Sequence, residues 1–477
     1  MRRLTHLTSF GIALTGAIVA GLVGSSSAVA GCGLLGLEEC PPRNSWESPD
    51  PGGDESAIVP VPPPGGKLLG FNDNSFLIPS RGVGPGAQAE LALRFGANAG
   101  RINTDWRYLE PTRDVWREDQ WNVYQRYYDA LISRGMKPLV VIGYAPAWAR
   151  DPGSPQTCTE HWRCEFPPAR HLLDEWRQFA AEVTRRFPLA AISIWNEPNL
   201  QQNWNHPNPS RWAELVVHAY RAIKAVNPGA EVVGGGLANN QGVTSDYYSG
   251  ESIALSKFLW AAYSSTPSIK GHMDAIGLNA TSRSLDMGKN TLFSKSFQDI
   301  RSNRALFNDS ETPIWVTETG LSTTDGLSQA QHADGLLRMY RRVMTMDDVE
   351  AMFVHTLIDL YEVPPDAWDR GVGVLELGQN GWPKPKLAYC AFAGRVDTDD
   401  PPFDCPRIVE EDVDPPPDPS SCDLAAKLKQ RLRALRAKIL RARENGNHLR
   451  VRELRARRDR VRVRYQTAKA ACAATTA

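Results

Sequence analysis

The run Ala191-Ile192-Ser193-Ile194-Trp195-Asn196-Glu197-Pro198-Asn199-Leu200 ends an apolar segment abruptly in an amide, a carboxylate and a proline. Ile192, Ile194 and Trp195 suit a strand covered on both faces, as parallel sheets require. Proline at 198 cannot continue a hydrogen-bonded ladder, so the strand stops there and leaves Asn196 and Glu197 at the rim of a sheet. Pro313-Ile314-Trp315-Val316-Thr317-Glu318-Thr319-Gly320 has the same design. The two glutamates stand 121 residues apart, room for about three strand–helix units.

Working outward, the same alternation covers most of the chain. Strand-like runs begin at Lys67, Ala99, Pro138, Ala191, Glu231, Met273, Pro313 and Ala351. Between them, apolar residues recur at helical spacing over 87–95, 121–134, 172–187, 211–226, 253–263, 297–307 and 328–344. Eight strands alternating with helices across residues 67–396 predict an α/β fold of the (β/α)8 barrel type. A doubly wound open sheet is the alternative, but no glycine-rich phosphate loop follows the first strand. The same absence leaves no motif for a nucleotide cofactor, and none is expected.

The 477-residue chain is electrically neutral, with 54 Lys+Arg and 54 Asp+Glu, but the charge is unevenly placed. From Cys422 onward 17 Lys/Arg face 4 Asp/Glu, so an acidic body carries a basic tail. In that tail Leu428, Leu432, Leu435, Ile439 and Ala442 repeat at four-three spacing. Gly446-Asn447 interrupts, and Leu454, Val461, Tyr465, Ala468 and Cys472 resume. This predicts an antiparallel α-helical hairpin over 422–477 with a narrow, coiled-coil-like apolar seam. Pro- and acid-rich residues 397–421 and Pro-, Gly- and Ser-rich residues 31–66 read as linkers. Residues 1–30 have a basic start, an apolar run from Phe10 to Val23 and Ala28-Val29-Ala30, the pattern of an export signal. No transmembrane span is expected once it is removed. Val29-Ala30-Gly31-Cys32 also fits a lipoprotein box, so free secretion and surface attachment through Cys32 both stay open.

Eight cysteines in an exported chain point to disulfides. Nearest-neighbour pairing gives Cys32–Cys40, Cys158–Cys164, Cys390–Cys405 and Cys422–Cys472, the last closing the open ends of the hairpin. No pair has CxxC spacing, so no structural metal is expected.

Trp195-Asn196-Glu197-Pro198-Asn199 resembles the acid/base motif of the retaining glycoside hydrolases of clan A, families 39 and 5 most, and Trp315-Val316-Thr317-Glu318-Thr319-Gly320 resembles the clan's nucleophile strand. Trp106-Arg107-Tyr108-Leu109-Glu110-Pro111, Tyr144-Ala145-Pro146-Ala147-Trp148 and Gly234-Gly235-Gly236-Leu237 match supporting stretches. The resemblance covers about residues 67–396 and implies hydrolysis of O-glycosidic bonds in a poly- or oligosaccharide. A glycosidic oxygen leaves only when protonated, so one carboxyl must keep its proton while the other stays ionised, about 5–5.5 Å away. By the resemblance Glu197 is the acid/base and Glu318 the nucleophile. Asn196 then contacts the sugar 2-hydroxyl and Arg101 steadies Glu318, unless Arg101 makes only a rim salt bridge. Trp148 and Trp204 are either sugar platforms or packing.

Two departures fall beside the reactive sugar. After strand six the family commonly shows His-Pro-Tyr, where this chain reads Asn279-Ala280-Thr281. On strand eight a tryptophan is usual, where Phe353-Val354-His355-Thr356 stands. Asn279 and His355 are therefore candidate replacement contacts, with a histidine satisfied inside the wall as the other reading. Two further readings compete with the enzyme. In one the barrel binds polysaccharide without cleaving it. In the other the basic hairpin attaches the protein to an anionic cell-surface polymer. The hairpin has almost no aromatics for base stacking, which excludes specific nucleic-acid recognition.

Overall fold

The computed structural model describes residues 66–72, 83–151, 165–240, 252–288, 290–361, 367–377 and 383–393, with residues 429, 430, 432, 435, 437, 439, 458 and 465 of the tail. In chain order the elements are β1 (Leu68–Asn72), α1 (Pro85–Arg94), β2 (Ala99–Asn103), α2 (Trp106–Leu109), α3 (Glu118–Ile132), β3 (Lys137–Ile142), α4 (Leu173–Arg186) and β4 (Ala191–Ile194). Then follow α5 (Pro209–Val226), β5 (Val232–Ala238), α6 (Leu255–Tyr263), β6 (Ala275–Asn279), α7 (Leu292–Leu306), β7 (Ile314–Thr319), α8 (Gln329–Thr345) and β8 (Val349–His355). A two-stranded antiparallel ribbon, β9 (Leu375–Leu377) with β10 (Pro383–Pro385), leads into α9 (Leu387–Ala393). Strands β1 to β8 pair in order, all parallel, and β8 returns to β1 to close the barrel.

Alternation along the strands sorts the side chains into two cores. Outward residues meet the helices in a large cluster that includes Ile102, Ile142, Ile192, Ile194, Val316 and Val354. Inward residues form a second cluster: Ala99, Leu139, Ala191, Val233, Ala275, Trp315, Ala351 and Phe353, with Leu68 against it. Five alanines or valines leave the room that Trp315 and Phe353 fill, as the fixed radius of an eight-stranded barrel demands. Gly70 belongs to the same fit: a Cβ there would stand 2.6 Å from the Phe353 ring.

Two residues further along the inward phase the barrel changes character. Asn72, Asn279 and His355, the last residues of their strands, and Arg101 and Thr317, two residues before the ends of theirs, are polar and buried. Hydrophobic filling below and a polar layer above is the arrangement that lets one end of the barrel carry chemistry.

Several boundaries differ from the sequence reading. α7 begins at Leu292 rather than 297, because the Thr291 side chain caps it by accepting from the Ser294 N–H. β5 runs on past Gly234 to Ala238 through a bulge between Gly234 and Gly236. α9, which the pattern does not signal, closes the wall near the start of the barrel. Phe392 stacks on Phe95 at 4.4 Å, and the Tyr389 hydroxyl donates to the Leu91 carbonyl at 2.9 Å.

Among the described residues no helix is long and apolar enough to cross a membrane. The described tail residues are helical, and Leu435 and Ile439 of the expected seam are buried. Cys390 is disulfide-bonded. The other seven cysteines, residues 1–65, the 397–421 linker and all of the hairpin's return except residues 458 and 465 lie outside the described residues.

Candidate active site

β4 hands the chain to the site through two residues with left-handed backbone, Trp195 at φ 75° and Glu197 at φ 47°. Side chains of this size avoid that region, and each such residue costs about 1–2 kcal/mol. Hydrogen bonds hold them there: Trp195 N–H donates to Ile142 O at 2.8 Å and Glu197 N–H to Gly236 O at 2.9 Å. The Trp195 indole is buried and donates to Asn203 O at 2.8 Å. Asn199 locks the loop to β5, accepting from Ala238 N–H at 2.9 Å and donating to Ala238 O at 3.0 Å. The Glu197 carboxyl is thus aimed by its backbone.

Glu318 approaches from β7, and one polar network joins the two carboxylates. Arg101, 1% exposed, donates from Nη1 to Glu318 Oε1 at 2.6 Å and from Nη2 to Asn196 Oδ1 at 2.8 Å. Asn279 donates through Nδ2 to Glu197 Oε1 at 3.0 Å and to Asn196 Oδ1 at 3.1 Å. The Thr317 hydroxyl donates to Asn279 Oδ1 at 2.8 Å, which fixes which end of that amide faces Glu197. Asn203 Nδ2 donates to the other oxygen, Glu197 Oε2, at 2.7 Å.

The environments of the two acids differ. Burial first, and then the negative charge of Glu318, push the Glu197 carboxyl well above the ordinary range, against the opposing pull of Asn279, Arg101 and His355. Glu318 has a fully buried guanidinium at its side instead. One group is set to hold a proton where its neighbour is paired with a fixed cation.

Behind Trp195 lies a second charged cluster. Arg107 pairs with Asp105 and, at 3.1 Å, with Glu165, and sits 5.2 Å from the Tyr144 ring centroid. Tyr144 meets Trp195 edge-on at 5.3 Å. Burial pushes Glu165 up to about 7. Glu110 ties this wall together, accepting from the Trp106 indole at 2.7 Å and, through its carbonyl, from the Trp148 indole at 2.8 Å. Among the described residues no group of three His, Cys, Asp or Glu side chains is placed to hold a metal.

The sequence profile of the cellulase family, glycosyl hydrolase family 5, matches residues 87–351. This chain belongs to glycosyl hydrolase family 5. The family 5 region includes six of the eight barrel strands whole, β2 to β7, with the start of β8 and both glutamates. A β-xylosidase of Geobacillus stearothermophilus is 21% identical over 159 residues, 31% of this chain and 31% of that protein. The family 5 chain thus matches about a third of that relative's length. Among solved structures, a family 39 glycoside hydrolase of Bacteroides cellulosilyticus is 20% identical, with 70% of this chain and 64% of that one covered and a TM-score of 0.48. A monomeric β-xylosidase of Caulobacter crescentus is also 20% identical, with 71% and 69% covered and a TM-score of 0.47.

Within this family 5 barrel, Glu197, Glu318, Asn196 and Arg101 come together as a network. Burial and hydrogen bonding place three other candidates. Trp204 is 1% exposed and packs on Trp195 with centroids 4.7 Å apart, so it fills core behind the acid and offers no face to a sugar. Asn279 is 1% exposed and fully engaged with Glu197, Asn196 and Thr317, which makes it a holder of the carboxyl rather than a ligand contact. His355 has both ring nitrogens occupied by Asn72 and Asp369, the packing alternative of its two readings. Trp148 is partly exposed, with the Trp106 edge at 5.6 Å and the Arg113 guanidinium 5.9 Å from its ring. Asn203, Thr317, Asn72 and Asp369 escape the sequence reading. A polar residue on the inward phase at a strand end would have signalled Asn72 and Thr317. Nothing in sequence separates Asn203 from the other amides of its loop. The Cys158–Cys164 loop lies outside the described residues.

Proposed function

We propose that this family 5 chain is a retaining β-glycosidase, with Glu197 as acid/base and Glu318 as nucleophile. The observation that carries the reading is the shared network, in which Arg101 pairs with Glu318 while Asn279 and Asn203 bind the raised carboxyl of Glu197. In the first half-reaction a Glu318 oxygen bonds to the anomeric carbon as the glycosidic C–O bond breaks. The Glu197 proton passes to the departing oxygen. In the second, Glu197 takes a proton from water, the water oxygen bonds to the anomeric carbon, and the ester to Glu318 breaks. With Asn196 Oδ1 occupied by Arg101 and Asn279, its Nδ2 is the end turned to a sugar hydroxyl.

A panel of activated aryl β-glycosides tests the reading, with product stereochemistry followed by NMR. Turnover with retained anomeric configuration is expected. An inverted product would remove Glu318 as nucleophile, and binding without turnover would favour a barrel that holds polysaccharide without cleaving it. The basic start, apolar run and small-x-small site of residues 1–30 support export, and the charge of residues 422–477 supports retention on an anionic surface polymer.

A further inference from the structure

The two oxygens of the Glu197 carboxyl meet different amides, and a guanidinium settles how one of them is turned. Arg101 can only donate, so the Asn196 atom 2.8 Å from its Nη2 is the acceptor Oδ1. Asn279 therefore faces Asn196 with its nitrogen, at 3.1 Å, and the same nitrogen meets Glu197 Oε1 at 3.0 Å. Turned over, that amide would set its oxygen against Asn196 Oδ1, a second acceptor. The Thr317 hydroxyl holds its far end at 2.8 Å, so Oε1 is committed to a fixed donor. Oε2 instead meets Asn203 Nδ2, at 2.7 Å. The Asn203 backbone is anchored: its carbonyl accepts from the Trp195 indole at 2.8 Å, and its N–H donates to Leu200 O at 3.1 Å. Its neighbours Asn199 and Gln201 are spent on holding the loop, against Ala238 and Asn205. The Asn203 side chain is partly exposed, and its Oδ1 makes no hydrogen bond to the described residues.

We propose that Asn203 is a positioning residue for the acid/base, and that Oε2, the oxygen it holds, is the one that gives and takes the proton. The inference rests on Glu197 being the acid/base. The partner of Oε1 can only donate to it, whereas Asn203 serves Oε2 in both of its states. With Nδ2 forward, as in the structure, it donates to a carboxylate. Turned about, it brings Oδ1 forward to accept from the carboxylic acid, and the side chain gives up no other hydrogen bond to the described residues. In the first half-reaction the proton leaves Oε2 for the departing oxygen, and Asn203 donates to the anion left behind. In the second, Oε2 takes a proton from the attacking water and the amide turns to accept from it. No bond forms to Asn203 and no proton leaves it in either half.

The test compares the full chain with Asn203→Ala and Asn203→Asp on two β-glycosides of one sugar. The phenyl glycoside needs its oxygen protonated to leave, and the dinitrophenyl glycoside does not. Asn203→Ala is expected to lower kcat/KM about tenfold more for the phenyl than for the dinitrophenyl glycoside, the size of losing a hydrogen bond to a charged group. Asn203→Asp keeps the shape of the side chain and sets a negative charge against Oε2. Its alkaline limb of kcat/KM is expected to move up by about one pH unit. Being isosteric, it decides the matter should Asn203→Ala fail to fold. Glu197→Gln sets the scale, with a larger split of the same sense. Equal losses on the two glycosides in Asn203→Ala, or an alkaline limb that stays in place in Asn203→Asp, would make residue 203 plain loop structure and overturn the inference. A wild-type chain that turns over neither glycoside, or a Glu197→Gln variant without the split, would instead remove the acid/base reading beneath it.

Discussion

Glu197 sits where its proton is hard to lose, and that has a thermodynamic cost. A carboxyl held above its unfolded value of about 4.3 contributes its full stability in acid and loses it as pH rises. Glu197→Gln removes the ionisation, so its Tm is expected to exceed wild type by about 1–3 °C at pH 8 and to match it near pH 4. A gain of equal size at both pH values in calorimetric scans would deny that the carboxyl is raised. Glu318→Gln is expected to lower kcat on aryl glycosides by at least about a thousandfold while leaving the fold intact by circular dichroism. Residue by residue, the sequence shows which two acids to watch. It does not show Asn203 as the partner of Glu197 Oε2, because loop geometry alone selects one amide among Asn199, Gln201, Gln202, Asn203 and Asn205.

β5 shows how an element without reactive groups shapes the site. Its bulge at Gly234/Gly236 accepts the Glu197 N–H, and Gly236 gives up its side-chain volume to the network. A Cβ at Gly236 would lie 2.5 Å from Asn279 Oδ1 and 2.6 Å from Thr317 Oγ1, two groups that are hydrogen-bonded to each other. Gly236→Ala is therefore expected to cost about 1–3 kcal/mol in denaturant melts and to reduce kcat/KM by displacing Asn279. Unchanged values for both would mean that the network yields freely. Element existence is legible throughout, because the alternation of buried runs and amphipathic helices is strong. Boundaries move where a polar group intervenes, as Thr291 does for α7.

The whole chain joins a barrel region with nearly balanced acidic and basic residues to a strongly basic tail, with an acidic segment at 397–421 between them. With 17 basic against 4 acidic residues from Cys422 onward, deletion of 422–477 is expected to abolish retention on an anionic polysaccharide matrix at low salt. Aryl-glycoside hydrolysis is expected to stay within about twofold of the full chain, since both glutamates and their network belong to the barrel. Retention that survives the deletion, measured by column elution against salt, would remove the tail from that role.

Sequence by itself determined the barrel and the acid pair, because both are written locally: strand-period burial, helix-period faces, and a glutamate set at the end of an apolar run. The resemblance already sets Arg101 against Glu318, and tertiary structure alone decided how the other polar groups surround those acids. Arg101, Asn279, Thr317, Asn72 and His355 come from five different strands, and only barrel closure turns their common inward phase into one layer. The same closure buried Trp204 and engaged both nitrogens of His355. Hydrogen bonds across the barrel depend on register and depth, and no spacing along the chain encodes those.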